Sequence, residues 1–325
     1  MMLPYMLRLV CLSLACFFLV HVSAGLITYL IAPAAIRVAE RMRARRAAAF
    51  VLALRMAPLG LGALVVAGLC VPSYLKLEPD TAAEPVGFAC LAAALLGIAI
   101  WTISIARAAR ATLASLRSVR EFERSAAKTQ VAGEQAPVWI VDGIAPLVAL
   151  AGLVRARLVI SRPVLQALSA EQMAAALRHE RAHQKSHDNL KRLAILLAPN
   201  LVPFARSSGA IERAWARFAE WAADDRAVAG DPHVSLSLAA ALVRVARMSA
   251  GAPSSCLVST LLADGGDLSA RVDRLLAAAS GRTQPEAGSR VVVAGTVAAL
   301  TACVAALMQP GLLSSVHLVL EQLVH

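Results

Sequence analysis

Four long apolar stretches constrain the fold of this chain more than any other feature of its sequence. Each is long enough to cross about 30 Å of hydrocarbon, a distance that takes roughly 20 helical residues. The chain is 58% hydrophobic and only 16% charged, a composition that soluble domains seldom have. The sequence therefore predicts a mainly α-helical membrane protein with four transmembrane helices, at about 9–32, 47–71, 87–106 and 291–308.

The charged flanks of these stretches predict their orientation. RVAERMRARR after the first stretch has five arginines, whereas SYLKLEPDTAAEPV after the second has one lysine and three acids. Short loops rich in arginine and lysine stay in the cytoplasm. We therefore expect about 107–290 to be cytoplasmic and the membrane to be the bacterial inner membrane. This topology also accounts for the net charge of +11, so direct nucleic-acid binding is not predicted.

The predicted spans divide the chain into four parts. Three spans occupy 1–110, a cytoplasmic domain occupies 111–289, the fourth span occupies 290–310, and a short outer tail ends the chain at 311–325. The first span could instead be a signal peptide cleaved after Ala24, where HVSAG offers small residues. Because the apolar run continues through LITYLIA, an uncleaved span is the favoured interpretation.

The predicted spans contain few groups able to do chemistry. Arg55 is interpreted as a topological arginine that snorkels toward the cytoplasmic surface. His21 could handle a proton or form an interhelical hydrogen bond, and both interpretations stay open. The six cysteines include no C-x-x-C pair and five lie in apolar runs, which predicts neither a disulfide framework nor a cysteine metal site.

Short local patterns organise the predicted cytoplasmic domain. PVWIVDG and RLVISRP are rich in β-branched residues and predict a small sheet, with IAPLVALAGLVRA as the connection between them. A long helix should begin after Ser169, because Ser169 and Gln172 match a capping box. The later LAILLAPNLVPF is too short to span and should be a buried or membrane-surface segment.

The long helix carries a pattern suited to metal binding. His179 and His183 are four residues apart in HERAH, so both imidazoles project from one helix face and can bind one ion. Glu180 lies beside them, where it can take the proton of a metal-bound water. His187 continues this face but lies about 6 Å further along the axis, which favours a surface or helix-end role.

A second helix, in FAEWAADDRAV, offers the missing ligand. Glu220 and Asp224 are also four residues apart and share a face. Glu220 would complete a set of two histidines and one glutamate that leaves a fourth position for water. Asp224 could accept the free ring N–H of a ligand histidine. A solvated helix face is the competing interpretation of this pair, and it is disfavoured beside HERAH.

Two further residues are weaker candidates near these motifs. Asp188 is expected to lie, like Asp224, among the residues that surround the metal ligands, where it fixes the helix end and the neighbouring backbone without binding the metal. His233 in GDPH could stabilise a developing oxyanion, although an ordinary loop histidine is the favoured interpretation.

Over roughly 138–276 the sequence resembles the gluzincin membrane metallopeptidases. LVISRPVLQALSAEQMAAALRHERAHQKSHDN resembles their edge strand, short helix and active-site helix, EWAAD resembles their E-x-x-A-D signature, and SARVDRLL resembles a later segment. Two branches fit, the beta-lactam-sensor type and the HtpX and CAAX prenyl protease type. The span pattern is similar to the first branch. Only about 17 residues follow the fourth span, so its large extracellular sensor domain is not expected.

The motifs and the resemblance together imply a zinc-dependent endopeptidase with a zincin-like α+β domain. One Zn²⁺ would be held by His179, His183 and Glu220, with Glu180 as the catalytic base. The expected partners are the lipid bilayer and a cytoplasmic or membrane protein substrate, a transcriptional repressor being one candidate, in signalling or quality control. RLVIS would be an exposed edge that pairs with extended substrate. The alternatives are an inactive zinc-stabilised scaffold or receptor component and, less favoured, a transporter.

Overall fold

The N-terminal part of the fold consists of helices only, and the domain that follows contains both helices and a sheet. The computed structural model describes residues 4–77, 86–129, 137–142, 148–153, 156–200, 208–248, 259–260 and 268–281. The helices in these residues are α1 (Tyr5–Ala39), α2 (Ala44–Val65), α3 (Val71–Leu77), α4 (Phe88–Ser125), α5 (Arg162–Ala167), α6 (Ala170–Ser186), α7 (Asp188–Leu197), α8 (Ser208–Val228), α9 (Pro232–Met248) and α10 (Leu268–Ala279). The strands are β1 (Ala127–Thr129), β2 (Val138–Val141), β3 (Val148–Ala151), β4 (Arg157–Ser161) and β5 (Ser259–Thr260).

Three helical regions are long and apolar enough to cross a membrane, namely α1, the continuous stretch Ala44–Lys76, and α4. These regions confirm the first three predicted spans as candidate membrane helices. A π-helix at Val66–Cys70 joins α2 to α3 within the second region. The fourth predicted span at 291–308 and the outer tail lie outside the described residues.

The outer surface of this helical bundle is apolar. Leu26, Ile27 and Leu30 are exposed on α1, and Leu95 and Leu96 are exposed on α4. Exposed apolar surface of this extent is typical of contact with lipid. The chain is therefore a membrane protein by the length, composition and surface of these helices.

Helix α4 continues well past the predicted end of the third span and reaches Ser125. Its last turns cover one face of the sheet, where Val119 and Phe122 pack against Trp139 and Val159. A single helix thus joins the membrane part to the sheet.

The five strands form one mixed sheet in the order β1-β2-β4-β3-β5. β2 and β4 are parallel, with Ile140 opposite Ile160, and the other neighbouring pairs are antiparallel. Because side chains alternate along each strand, the sheet buries a second face opposite α4. On that face Leu150 and Ile160 pack in one core with Leu177 of α6 and Leu242 of α9.

The prediction that RLVIS forms an exposed edge strand is wrong. This sequence forms β4, which pairs with β2 on one side and with β3 on the other. The reason is that VALA, assigned from sequence to a connection, is itself a strand whose four residues are all buried. The added strand places β4 in the centre of the sheet, and β1 and β5 form its edges.

Helix α6 begins at the predicted capping box. The Ser169 Oγ accepts a hydrogen bond from the Gln172 backbone N–H at 3.2 Å, and the Gln172 Oε1 accepts one from the Ser169 backbone N–H at 3.1 Å. The helix ends at His187, whose φ of 54° lies in the left-handed region. Helix α7 begins at the next residue, so HERAH lies on a helix with a defined start and end.

Arg55 holds α7 and α8 against the helical bundle, and the predicted snorkelling role is wrong. The side chain is buried in α2, and its Nε donates to Oε1 of Glu212 in α8 at 3.2 Å. Its Nη2 donates to the carbonyls of Ile195 and Ala198, at the end of α7, at 3.3 Å and 3.0 Å. These acceptors keep the guanidinium inside the bundle because a buried cation needs hydrogen-bond partners.

His21 makes a second contact of this kind. Its Nε2 donates to the Pro199 carbonyl at 3.2 Å, which is a hydrogen bond between the first predicted span and the chain after α7. Ile195 and Ala198 are also buried there, as expected for an apolar segment too short to span. Residues 201–204 of that segment lie outside the described residues.

We expect Arg55→Met to lower the free energy of unfolding by about 1–3 kcal/mol, because the buried acceptors of Arg55 would lose a charged donor. Thermal unfolding of the purified protein in detergent measures this loss. Arg45→Met is the matched control, because Arg45 is exposed near the start of the same helix and should change stability by less than about 0.5 kcal/mol. Equal stability of the two variants would contradict the role assigned to Arg55.

Candidate metal centre

Two helices bring together the three side chains predicted to bind a metal. His179 and His183 come from α6 and Glu220 from α8, and one potential ligand atom of each lies within 4.8 Å of the others. The two Nε2 atoms are 3.1 Å apart. Oε2 of Glu220 lies 3.4 Å from Nε2 of His179, and Oε1 lies 3.5 Å from Nε2 of His183. All three side chains are buried.

This donor set fits a zinc ion. Tetrahedral zinc with bonds of about 2.0–2.2 Å holds neighbouring ligand atoms roughly 3.3 Å apart. The three separations in the site are close to that value. Neither carboxylate oxygen of the buried Glu220 accepts a hydrogen bond in the described structure. Buried carboxylate oxygens that accept no hydrogen bond are rare. Nη1 of Arg271 forms an ion pair with Oε2 at 3.2 Å, and a bound cation would supply the ligand contact that both oxygens lack.

Each histidine has a carboxylate on its other ring nitrogen. Nδ1 of His179 lies 2.8 Å from Oδ1 of Asp224, the contact that sequence spacing predicts. Nδ1 of His183 lies 2.8 Å from Oδ2 of Asp188. An Nδ1–H held in this way leaves the Nε2 lone pair facing the centre. Asp188, like Asp224, was expected to lie around the ligand set, and it contacts the ring of a ligand candidate. Its other oxygen accepts from Lys191 at 2.9 Å.

Glu180, the acid that directly follows the first ligand candidate, is like Glu220 in its lack of hydrogen bonds in the described structure. The side chain is fully buried, and neither carboxylate oxygen accepts a hydrogen bond. Burial raises the pKa of Glu180 to about 7, although the neighbouring imidazoles oppose this shift. A group with a pKa near the working pH can both take and return a proton. The position and the pKa are those expected of a general base and acid.

Arg271, on α10, is a residue of this centre to which the sequence analysis assigned no role. Its Nε donates to Oδ2 of Asp224 at 2.9 Å, and its Nη2 donates to Oδ1 at 2.7 Å. Its Nη1 lies 3.2 Å from Oε2 of Glu220. Burial alone would raise the pKa of Asp224, but the Arg271 guanidinium and the contact with His179 together outweigh burial, and the pKa is about 2. Arg271 and His179 therefore keep the second carboxylate of α8 ionised inside the protein.

The sequence contains a signal for this contact. Arg271 and Arg274 are three residues apart in SARVDRLL, and they face the adjacent acids Asp224 and Asp225 of α8. Nη2 of Arg274 donates to Oδ1 of Asp225 at 3.0 Å. Two arginines at helical spacing opposite two acids on another predicted helix indicate such pairing, but charge alone does not show which pair is buried.

The side chains of this centre are strongly charged. Burial would lower the pKa of His183, but the carboxylates of Glu220 and Asp188 outweigh it and raise that pKa to about 10. Burial also opposes ionisation of Glu220, yet His183 and Arg271 hold its pKa well below the usual value. A ligand histidine must be neutral, so metal binding at this centre would release a proton.

Two further histidines near these motifs, His187 and His233, lie apart from the three ligand candidates. His187 is exposed at the end of α6, which confirms the expectation of a helix-end histidine. His233 is exposed and lines a cavity of about 390 Å³ together with Glu171 and Arg178 of α6. That lining includes none of the predicted metal ligands. The oxyanion role of His233 stays a prediction.

A comparison with protein families matches the part of the chain that contains α6 and α8. Residues 114–252 match the model described as Peptidase family M48. This part of the chain is similar to Peptidase family M48. This match confirms the resemblance to membrane metallopeptidases at the level of the family, and it supports a metallopeptidase. The M48 segment includes α6 and α8, spans somewhat less than half of the 325 residues, and ends before Arg271. No curated protein and no solved structure matches the chain.

Proposed function

We propose that this chain is an integral-membrane zinc metalloendopeptidase of the HExxH type. One observation carries the proposal: two buried imidazoles and a buried carboxylate converge beside Glu180, an acid whose oxygens accept no hydrogen bond in the described structure. A purely structural metal site has no need for an acid buried at this position. The M48 match over the same helices supports the same reaction class.

Each residue of the centre has a role in this proposal. His179, His183 and Glu220 hold one zinc ion, while Asp224 and Asp188 keep the imidazoles in the required orientation. When bound, zinc supplies the Lewis acidity that makes a water a nucleophile at neutral pH. Glu180 accepts the proton of that water and donates it to the amine that leaves the cleaved peptide bond.

The position of the centre favours a substrate close to the bilayer. Nη2 of Arg217 in α8 donates to Oε1 of Glu40 at 2.8 Å, and Glu40 directly follows the last residue of α1. Glu220 lies three residues beyond Arg217, which is about 4.5 Å along the helix. The ligand candidate Glu220 is thus about one helical turn along α8 from a residue whose side chain contacts the end of a membrane helix. We propose that it cleaves a membrane protein or a cytoplasmic protein held at the membrane, a repressor being one candidate.

The orientation and the domain boundaries are part of the same proposal. We propose that the peptidase domain at 111–289 lies on the cytoplasmic side of a bacterial inner membrane. The fourth span at 290–310 would follow it. The support is the arginine-rich segment after the first span and the acidic segment after the second, read by the positive-inside rule.

Metal analysis of the purified full-length protein tests the centre. We expect about one zinc per chain in the unaltered protein, because catalytic zinc sites use three protein ligands and a water. His183→Ala removes a ligand and should lose most of this zinc. His187→Ala is the matched control, because His187 lies on the same helix end but is exposed and outside the ligand set. Equal zinc content in both variants would contradict the ligand assignment.

A further inference from the structure

The end of α7 is held by two polar side chains of the membrane bundle. Nη2 of Arg55 in α2 donates to the carbonyls of Ile195 and Ala198, at 3.3 Å and 3.0 Å. Nε2 of His21 in α1 donates to the Pro199 carbonyl at 3.2 Å. Both donor side chains are buried. Neither has a role in the proposed peptidase reaction, so these contacts need a separate explanation.

The position of His21 along α1 determines how deep the Pro199 contact lies. Helix α1 runs from Tyr5 to Ala39, and about 20 of its residues are needed to cross the hydrocarbon core. Any stretch of about 20 consecutive residues of this helix includes His21. Its position is at least about three residues, or about 4.5 Å, inside the end of the stretch that is nearer Ala39. The Pro199 carbonyl therefore lies at the depth of the acyl chains, whichever part of α1 crosses the membrane.

The carbonyls that these side chains bind belong to a helix end. The last carbonyls of an α-helix have no partner within the helix. Water satisfies them at a protein surface, but the hydrocarbon core holds no water, so backbone groups there must be satisfied by the protein. Arg55 and His21 together donate to three such carbonyls. Ionisable residues are rare in membrane helices and mark a specific partner, which here is the end of α7.

Helix α8 leads away from the same place. Oε1 of Glu212, near the start of α8, accepts from Nε of Arg55 at 3.2 Å. Further along α8, Trp215 and Phe218 share a core with Ala47, which is nearer the start of α2 than Arg55 is. Helix α8 thus runs from the depth of Arg55 back toward the start of α2.

Both helices reach the metal centre at their other ends. Asp188, the first residue of α7, contacts the ring of His183, and Glu220 of α8 is a ligand candidate. The two helices therefore enter and leave the membrane on the same side. The sequence at 193–205 contains no Lys, Arg, Asp or Glu, and Leu197 in the last turn of α7 is 38% exposed.

We propose that α7 and α8 form a re-entrant helix pair, whose end near Pro199 is inserted among the acyl chains of the leaflet nearer the metal centre. Insertion by about 5–10 Å is typical of apolar elements that enter one leaflet only. Lipid then covers the exposed Leu197, as it covers the exposed apolar surface of α1 and α4. Two helices thereby join the metal centre to the bilayer. The insertion rests on the contacts of α7 and α8 with α1 and α2, so its test does not depend on the proposed peptidase activity.

Labelling from the lipid tests the insertion in the unaltered protein. The full-length protein is reconstituted in vesicles of palmitoyl-oleoyl phosphatidylcholine with a small fraction of the same lipid carrying a photoactivatable diazirine on one acyl chain. After illumination and trypsin digestion, mass spectrometry quantifies the labelled peptides. We expect 193–206, released by cleavage after Arg192 and Arg206, to be labelled like 56–76 of the second membrane helix. The reference peptide is 227–244, which contains an exposed leucine of α9, Leu236, and should stay unlabelled.

Two aspartate substitutions give a matched comparison. Leu197→Asp places a carboxylate at the proposed depth, where charge is costly, and should reduce the labelling of 193–206. Leu236→Asp places the same group at the exposed leucine of α9 and should leave that labelling unchanged. The proposal is overturned if 193–206 of the unaltered protein is labelled no more than 227–244, or if the two substitutions have the same effect.

Discussion

Glu180→Gln is expected to retain zinc and to lose peptide hydrolysis by about 100- to 10,000-fold, the usual contribution of a general acid–base group. The amide has nearly the size of the carboxylate, so the buried position stays filled. It cannot take a proton from water at neutral pH, whereas His179, His183 and Glu220 are unchanged as ligands. Comparison of membrane proteomes from cells with unaltered and Glu180→Gln protein measures the loss, through fragments that appear only with the unaltered protein.

Glu171→Gln is the matched control for this variant. Glu171 lies in the first turn of the same helix, is exposed, and lines a cavity that contains none of the three ligand candidates. Its substitution should leave the fragments unchanged. If Glu180→Gln produced the same fragments as the unaltered protein, the proposed base would be wrong. If zinc were bound but no fragment depended on Glu180, the inactive scaffold would be the better explanation.

Arg271→Met is expected to destabilise the metal-free protein by about 3–5 kcal/mol, because it removes one side of a buried ion pair. The carboxylates of Asp224 and Glu220 would stay buried without the guanidinium that pairs with both. Arg271→Lys should recover part of the loss, since it restores the charge but not the two parallel hydrogen bonds to Asp224. Denaturant unfolding of the detergent-solubilised, metal-free protein measures both variants.

Arg274→Met tests whether burial causes this loss. Arg274 lies one turn from Arg271 on α10 and pairs with Asp225, whose side chain is 54% exposed. A pair that open to solvent contributes about 0–1 kcal/mol, so this variant should be far more stable than Arg271→Met. If the two substitutions cost the same free energy, the assignment of Arg271 to the centre would fail.

The two helices of the centre were predictable because their chemistry is encoded at local spacing. HERAH places His179 and His183 on one face of α6, and EWAAD places Glu220 and Asp224 on one face of α8. Both inferences need only the period of a helix, with no knowledge of what packs against it. The capping box that starts α6 is also a local signal, and the structure has both of its hydrogen bonds. The first three spans follow from length and composition in the same way.

The structural features that could not be predicted from the sequence all depend on contacts between distant segments of the chain. VALA is only four residues long and could be a loop or a strand; its pairing with β4 decides between these. Arg55 has the sequence surroundings of a snorkelling arginine, and its acceptors come from residues about 140 to 160 positions later. Arg271 is likewise assigned by its contact with Asp224, 47 positions earlier. Local composition carries no information on such partners.

The continuity of α4 has a consequence for how proteins of this architecture can vary in length. One unbroken helix carries both the third membrane span and the residues that pack on the sheet. Inserting a single residue between these two parts would turn the sheet by about 100° relative to the bundle and move it about 1.5 Å outward. Seven residues, close to two full turns, would leave the facing nearly unchanged. They would still move the sheet about 10.5 Å along the helix axis, while Arg55 holds Glu212 and Ala198 of the same domain at the bundle. The segment after the third span therefore fixes both the angle and the distance between the sheet and the bundle.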